Sequence, residues 1–274
     1  MVDKHIDFEA FSRHTDIYHQ SGLDKFGKPY RQHSHVALVS AFFNIIEQLG
    51  VTTCVEIGAF QAETSVRFIS GAPARHALAV EANPYNFNKC KDSLTAAGIL
   101  YHHAAVLDRD GPCELQLHVT DIDVKNGYIR GNNSLLKHDE RKQTRALSVP
   151  GTTLDTLVAS YVESQSIPDP ATNHPVLWID VEGALDLVIK GGLQTISNSL
   201  LILAEVETEQ IWNKQATLPE IATQLDKLGF FPLLRDCEYE PEQFNVIFAN
   251  RKLIDTALLE EIVVQFYNEL QPLD

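Results

Sequence analysis

The fold is predicted first from residues 52–63, Thr-Thr-Cys-Val-Glu-Ile-Gly-Ala-Phe-Gln-Ala-Glu. Residues 52–57 are predicted to form a buried strand, Gly58 begins a turn, and a helix is predicted over 62–70. The same order of strand and helix recurs, with further strands predicted at 77–81, 99–103, 176–179 and 200–206. Continuous apolar strands that alternate with helices indicate a parallel sheet covered on both faces. The predicted fold class is therefore α/β, with a doubly wound, mostly parallel sheet.

Local signals outside these strands predict the remaining elements. An amphipathic helix is expected over 34–49, and Asn83-Pro84 is a good start for another because Asn caps helices and Pro suits their first turn. The turn Arg109-Asp110-Gly111 followed by 114–119 suggests a hairpin, and Thr152-x-x-Asp155 suggests a capping box for a helix over 152–162. Helices are also expected at 218–228 and 253–270, and an antiparallel strand pair at 230–234 and 244–249. The chain divides into a polar arm, 1–33, and one domain, 34–274.

Composition and charge restrict the class of function. The chain has 274 residues, 44% of them hydrophobic, which suits one large globular α/β domain. No apolar run is long enough to span a membrane, and the N-terminus does not resemble a secretory signal, so a cytoplasmic protein is expected. The formal charge of −15 argues against nucleic acid or an anionic membrane surface as a partner. A small-molecule ligand fits this composition best.

Patterns for metal binding are weak. The four cysteines, Cys54, Cys90, Cys113 and Cys237, include no Cys-x-x-Cys pair, which disfavours both a zinc site and a disulfide framework. His33 and His35 could ligate a metal, but an exposed pair in a polar arm is the favoured interpretation. No metal site is therefore predicted from these residues.

The first two strands each end in an acidic residue, Glu56 and Glu81. An acid at the end of the second strand can accept both hydroxyls of a ribose. A pyrophosphate would need glycines in the turn after Gly58, where Phe60 and Glu63 stand instead. A nucleoside ligand with a positive charge and no phosphate, such as S-adenosylmethionine, therefore suits this turn. Alternatively, Glu56 only caps the following helix.

Two further pairs of acids follow buried strands: Asp180 and Glu182 after one, Glu205 and Glu207 around the end of the next. Buried carboxylates are costly without partners, so their presence at strand ends favours a site over a core. They could deprotonate a hydroxyl, bind a polyol or, through Asp180, Glu182 and Glu205, hold a divalent cation, which is not favoured. Asp180 and Glu182 are the predicted catalytic residues, with helix capping by Glu182 as the structural alternative.

The polar segment 120–143 is a long loop, and such loops in compact domains are often functional. Its short donors and acceptors suit a hydroxylated ligand, although the same residues are common in ordinary turns. The predicted substrate-binding residues are Arg130, Asn132, Asn133, Ser134 and His138, with Glu205 and Glu207 opposite them.

These segments, in this order, resemble the FkbM family of methyltransferases. The strongest match is Ile179-Asp180-Val181-Glu182-Gly183-Ala184 followed by Lys190-Gly191-Gly192. Supporting matches are Glu56-Ile57-Gly58-Ala59, Glu81-Ala82-Asn83-Pro84, Ala104-Ala105-Val106-Leu107-Asp108 with Gly111, Asn133-Ser134-Leu135, Val149 with Thr153-Leu154-Asp155, and Leu228-Gly229-Phe230. Phe60 and Ala62 depart from the family, since many members have Asn and Gly there, and Leu185 replaces a frequent acid.

The resemblance implies a Rossmann-like class I methyltransferase fold and S-adenosylmethionine as cofactor. It also implies O-methylation of a small hydroxylated acceptor: a sugar, a glycolipid precursor or a polyketide-type product. The implied cofactor-binding residues are Glu56, Gly58, Ala59, Phe60, Glu81, Ala82, Asn83, His103, Ala104 and Val106. Two other interpretations stay open: a nicotinamide-dependent oxidoreductase, which the missing glycines disfavour, and a non-catalytic nucleoside-binding module.

Overall fold

The computed structural model describes residues 8–117, 131, 133–138, 145–239 and 241–271. The helices are α1 (Phe8–Phe26), α2 (Lys28–Leu49), α3 (Glu63–Ser70), α4 (Pro84–Ala96), α5 (Leu154–Glu163), α6 (Leu185–Gly191), α7 (Leu193–Ser197), α8 (Leu218–Leu228) and α9 (Thr256–Glu269). The strands are β1 (Thr53–Ile57), β2 (His76–Glu81), β3 (Leu100–His103), β4 (Ala105–Val106), β5 (Cys113–Leu117), β6 (Arg145–Val149), β7 (Gly151–Thr152), β8 (Val176–Ile179), β9 (Leu201–Glu207), β10 (Phe230–Arg235) and β11 (Gln243–Asn250).

These elements form two compact units. The parallel-sheet unit comprises Val51–Ser199 and Gln210–Ala216. The antiparallel-sheet unit comprises Met1–Gly50, Leu200–Glu209 and Thr217–Asp274. The division predicted from sequence, an arm of residues 1–33 and a domain of 34–274, stays a prediction.

In the parallel-sheet unit, the strands lie in the order β8-β1-β2-β3, and each neighbouring pair is parallel. All five residues of β1 are buried, as expected for a central strand of such a sheet. The chain runs from β1 outward to β2 and β3, then returns to the other side of β1 as β8. This reversal places the carboxyl ends of β1, β2 and β8 side by side at the point where doubly wound sheets bind ligands. The predicted fold class is confirmed.

The hairpin predicted around the turn Arg109-Asp110-Gly111 does not form. The two strands that flank this turn pair elsewhere: β4 lies parallel to β7, and β5 lies antiparallel to β6. Alternating polar and apolar residues identify β5 as a strand, but they carry no information on its partner. Tertiary packing decides which strand pairs with β5, because its partner β6 begins about thirty residues further along the chain.

In the antiparallel-sheet unit, the strand order is β10-β11-β9, and both pairs are antiparallel. The pair predicted at 230–234 and 244–249 is therefore confirmed as β10 and β11.

α2 begins at Lys28, earlier than the predicted start at residue 34, because Pro29 is well accommodated in a first helical turn. α1 also occupies much of the segment that was expected to be a polar arm. α1 packs against α2, and α9 packs against α2 from the C-terminal end of the chain.

The part of the chain that the structure describes contains neither a membrane-spanning helix nor a disulfide. None of the described helices combines the length and the apolar character that crossing a membrane requires. All four cysteines are free thiols, and Cys54, Cys113 and Cys237 are buried.

The capping box predicted at Thr152 is wrong by one residue. Thr152 belongs to β7, and Thr153 is the N-cap of α5, its side chain accepting a hydrogen bond from the Thr156 N–H at 3.0 Å. Asp155 does not reach back to the cap, since its carboxylate accepts from the N–H groups of Gln194 and Thr195. A capping box therefore does not form at this helix.

We predict that Thr153→Ala lowers the free energy of unfolding by about 1 kcal/mol, because the Thr156 N–H loses its side-chain acceptor. Urea denaturation followed by circular dichroism measures this change. Ser160→Ala, an exposed change on the same helix, serves as the control and should cost nothing, since Ala is the better helix former. A stability unchanged in Thr153→Ala would contradict the assignment of the cap.

Candidate functional site

A cavity opens at the carboxyl ends of the parallel strands. Its lining comes from the ends of β1 and β2, from the turns after β1, β2 and β8, from the segment after β3, from β5, and from Gly131, Asn133 and Leu135. The described lining residues are Ile57, Gly58, Phe60, Val80, Glu81, Ala82, Ala104, Ala105, Val106, Leu115, Gly131, Asn133, Leu135, Asp180, Val181, Glu182 and Ala184. All of them belong to the parallel-sheet unit. Part of the predicted site therefore lines one cavity: Gly58, Phe60, Glu81, Ala82, Ala104, Val106, Asn133, Asp180 and Glu182.

Gly58 lines this cavity and allows two of the turns around it to lie in contact. Its N–H donates to the Val80 carbonyl at 2.9 Å, and the Asp180 N–H donates to the Ile57 carbonyl at 2.9 Å. Gly58 has a φ of 79°, and a β-carbon there would lie 1.7 Å from the Asp180 carbonyl oxygen. Only glycine permits this contact, so the turn after β1 lies directly against the turn after β8.

Glu81 combines burial with access to the cavity. Its carboxylate accepts hydrogen bonds from the Phe60 N–H at 2.8 Å and the Asn83 N–H at 2.6 Å. The side chain is only 6% exposed, and burial raises the pKa of this carboxyl to about 7, although the hydrogen bonds oppose the shift. Each carboxylate oxygen can accept more than one hydrogen bond, so Glu81 retains capacity for a ligand.

Glu56 lies at the same end of the sheet but is oriented differently. Its carboxylate accepts from the Ser65 N–H at 2.7 Å, in the first turn of α3, and Glu56 is not part of the cavity lining. Burial raises the pKa of Glu56 to about 7, again against its hydrogen bonds. This geometry fits the alternative role considered for Glu56, the capping of α3. Its cofactor-binding role stays a prediction.

Two of the three residues noted as departures from the FkbM pattern, Phe60 and Ala62, adopt left-handed backbone angles. Phe60 has a φ of 45° and Ala62 a φ of 53°, which cost energy for residues with a β-carbon. Asn and Gly, found at these positions in many family members, tolerate such angles better. The Tyr101 hydroxyl donates to the Phe60 carbonyl at 2.7 Å, and burial raises the pKa of Tyr101, so the phenol stays protonated as a donor. Tyr101 therefore supports the strained turn.

Three rings, those of Phe87, Tyr101 and His103, form a stacked aromatic layer. Phe87 stacks on Tyr101 and on His103, with ring centroids 5.1 Å apart in each case. The His103 ring is hydrogen-bonded to the Ala82 carbonyl at 3.1 Å. Ala82, Ala104 and Val106 line the cavity. His103 and Asn83, which caps α4, do not line it. Ala59 is buried and also lies outside the lining.

Asp180 and Glu182 lie on a turn that is itself strained. Glu182 has a φ of 49° and Gly183 a φ of 81°, so two successive residues are left-handed. Gly183 packs against Trp212, where a β-carbon would come within 2.4 Å of the indole ring. Asp180 and Glu182 both line the cavity, as Glu81 does. The predicted catalytic pair is therefore brought to the cavity.

Ser134 is a buried residue whose hydroxyl makes two hydrogen bonds within the protein. Its hydroxyl donates to the Glu182 carbonyl at 2.6 Å and accepts from the Leu136 N–H at 3.0 Å. Its backbone pairs with Gln116 of β5, and the residue is only 1% exposed. The hydroxyl thus connects the loop to the turn that carries Glu182. Direct substrate binding by Ser134 stays a prediction that this geometry does not favour.

The other predicted substrate-binding residues are dispersed. Asn133 lines the cavity, while His138 contacts the Trp212 ring edge-on, with centroids 5.4 Å apart. Arg130 and Asn132 lie outside the described residues.

Glu205 and Glu207 lie on β9, in the antiparallel-sheet unit, and both are buried. Gln243 donates to the Glu205 carboxylate. Asp180, Glu182 and Glu205 stay an untested suggestion for a divalent cation.

Sequence reasoning missed three supporting residues, Tyr101, Phe87 and Trp212. Tyr101 occupies the middle of β3, where an aromatic residue is ordinary core. Trp212 follows β9 in a short irregular segment with no motif around it. No sequence signal identifies them, because their roles depend on contacts with distant turns.

The ionisable side chains that line the cavity, among the described residues, are all acidic. Three carboxylates line it, and no Lys, Arg or His is present among the lining residues that the structure describes. Such a lining favours a cationic ligand and disfavours a phosphate. A parallel sheet with its reversal at β1, together with an acid-lined cavity at that point, defines a Rossmann-like α/β protein with a ligand site.

Comparison with known proteins identifies the family. The model of the methyltransferase FkbM domain matches residues 56–239, more than half of the chain, and the chain belongs to this family of methyltransferases. The 2-O-methyltransferase NoeI of Sinorhizobium fredii (strain NBRC 101917 / NGR234) is 24% identical over 205 residues, which cover 73% of this chain and 79% of that protein.

Solved structures also show distant similarity to the chain. The precorrin-6y C5,15-methyltransferase of Geobacter metallireducens GS-15 is 12% identical with a TM-score of 0.36, covering 73% of this chain and 80% of that chain. The N-terminal domain of EvdMO1 with SAH bound is 11% identical with a TM-score of 0.38, covering 80% of each chain. The fold assignment above depends on strand order and not on these two likenesses.

We predict that Ser134→Ala lowers the free energy of unfolding by about 1–3 kcal/mol, because buried polar groups lose their shared partner. Urea denaturation measures the change, and Asn133→Ala, next to it in the loop, is the control with an expected effect under about 0.5 kcal/mol. If both variants were as stable as the wild type, the hydroxyl link between Leu136 and Glu182 would have no structural role.

Proposed function

We propose that this protein is an S-adenosylmethionine-dependent O-methyltransferase that acts on a hydroxyl of a sugar-like or natural-product small molecule. The observation that carries the proposal is the cavity at the sheet reversal, lined by Glu81, Asp180 and Glu182 without a described cationic side chain. Family membership already establishes the class of methyltransferase. The acidic lining adds the preference for a cationic methyl donor over a dinucleotide.

The residues present fit this cofactor. Glu81 stands at the end of β2, with both oxygens oriented by backbone N–H groups, which suits the acceptance of two ribose hydroxyls. Phe60 occupies the turn where a pyrophosphate would need glycine, so the fit to a nicotinamide dinucleotide is poor. Ala82, Ala104 and Val106 offer an apolar surface beside the aromatic layer, which suits an adenine ring.

Catalysis requires alignment and a proton acceptor. When bound, S-adenosylmethionine supplies a methyl group attached to a positively charged sulfur, which is open to direct displacement. Asp180 is proposed to accept the proton of the acceptor hydroxyl, since it directly follows β8 and lines the cavity. Glu182, on the strained part of the same turn, orients the acceptor. The rigid turn contributes to rate by holding these groups in position.

The acceptor class rests on two further points of support. Asn133 offers a neutral donor and acceptor at the cavity, next to the carboxylates, and this mixture suits a hydroxylated ligand. The relative NoeI bears the name of a 2-O-methyltransferase, at 24% identity. Both favour an oxygen nucleophile in the acceptor.

We predict that the affinity for S-adenosylmethionine rises with pH through about 7, because Glu81 accepts ribose hydrogen bonds best when it is ionised. The loss below this pH should approach tenfold, and calorimetric titration at several pH values from 6 to 8 measures it. Glu81→Ala should bind ten- to a hundredfold more weakly than the wild type at pH 8.

Glu56→Gln is the matched control, since Glu56 is equally buried with a pKa raised to about 7 but lies at the start of α3. This variant should keep the pH dependence of the wild type. If the dependence disappears in Glu56→Gln and persists in Glu81→Ala, the roles of the two acids are exchanged.

We predict that Asp180→Asn lowers kcat for methyl transfer by about 10²–10⁴ while S-adenosylmethionine still binds. The rate should not respond to a chelator. Asp186→Asn is the control, because Asp186 pairs with Lys190 on α6 and does not line the cavity. Loss of wild-type activity with chelator, restored by magnesium or manganese, would replace the base mechanism with a metal-assisted one.

A further inference from the structure

A second cluster of ionisable side chains lies in the antiparallel-sheet unit. His35 is on α2, and Asp236 and Glu238 follow β10. The His35 Nδ1 atom lies 3.0 Å from an Asp236 oxygen and 2.9 Å from a Glu238 oxygen. Among the residues that the structure describes, this is the one group of three or more His, Cys, Asp or Glu whose ligand atoms lie within 4.8 Å of one another.

The separations match the geometry of a metal centre. First-row divalent ions bind imidazole nitrogen and carboxylate oxygen at roughly 2.1 Å, so two ligands at a right angle lie roughly 3.0 Å apart. The two distances from the His35 nitrogen agree with this value. Imidazole nitrogen and carboxylate oxygen are both donors that such ions accept.

Asn245 binds both carboxylates, and its side-chain amide donates to the same two oxygens that face His35. The Asp236 oxygen remote from His35 accepts from the Asn245 backbone N–H at 2.8 Å. The Asn245 side-chain amide donates to the near Asp236 oxygen at 2.9 Å and to Glu238 at 3.2 Å. These bonds orient both carboxylates toward His35, and such supporting contacts tune metal affinity. Asp236 is fully buried, so the cluster is built into the unit.

We propose that His35, Asp236 and Glu238 bind one first-row divalent metal ion, with solvent completing its coordination. The nitrogen donor favours zinc or iron over calcium and magnesium, and the two carboxylates also suit manganese. The ion would join α2 to the segment after β10, which are about 200 residues apart in the chain. His33, the other member of the pair noted in the sequence, instead bonds to the Glu269 carbonyl at 2.7 Å. This site shares no residue with the cavity lining, so it does not depend on the proposed function.

The proposal is tested with the full chain after treatment with EDTA and removal of the chelator. Calorimetric titration with Zn²⁺ and, separately, with Mn²⁺ should give one ion per chain for at least one metal. Thermal unfolding in the presence of a large excess of that ion should shift to a higher midpoint by several degrees, because the ion binds the folded state.

Three variants locate the ion. His35→Ala and the milder Glu238→Gln should each weaken binding at least tenfold, and Glu238→Gln keeps an oxygen that can accept from Asn245. His33→Ala, two residues away on the same helix, should bind like the wild type. The same contacts also fit a charged imidazole that donates to two carboxylates without any ion. Absence of binding in the wild type, or binding in His35→Ala and Glu238→Gln that is as tight as in the wild type, would overturn the proposal and leave only this ion pair.

Discussion

The backbone contact between Gly58 and Asp180 is the constraint on which the site depends. A β-carbon at Gly58 would lie 1.7 Å from the Asp180 carbonyl oxygen, so the two turns that follow β1 and β8 lie against each other. Backbone hydrogen bonds to Ile57 and Val80 extend both strands by one step beyond their ends. These backbone contacts hold the turns after β1 and β8 together, and they thereby constrain the positions of the carboxylates that the turns carry.

The same two turns store backbone strain, and each is stabilised by a hydroxyl group. Phe60 and Glu182 are left-handed without being glycine, which costs roughly 1–2 kcal/mol per residue. The carbonyl of Phe60 accepts from Tyr101, and the carbonyl of Glu182 accepts from Ser134. Strain of this kind persists where surrounding contacts over-determine the conformation, and it concentrates at functional sites. The hydroxyls are therefore part of what keeps the cavity in shape.

Orientation distinguishes two acids that electrostatics leaves alike. Glu56 and Glu81 both end buried strands, and burial raises the pKa of each to about 7. Glu56 is directed at the N–H groups that begin α3, whereas Glu81 lines the cavity. The folded protein holds both protons more tightly than the unfolded chain, so each acid contributes less to stability as pH rises from the ordinary glutamate range toward 7 and above. This cost is typical of groups retained for a site or for a helix start.

The sequence alone determined the parallel α/β fold, the acids at its strand ends and the resemblance to the FkbM family, because strand burial and turn residues are local properties. Local pattern could not determine that β5 pairs with β6, that α1 forms within the predicted arm, or that Thr153 is the cap in place of Thr152. Nor could it show that Ser134 supports the Glu182 turn, or that His35 meets Asp236 across some 200 residues. Those contacts join segments remote in the chain, and only tertiary packing decides which side chains face one another.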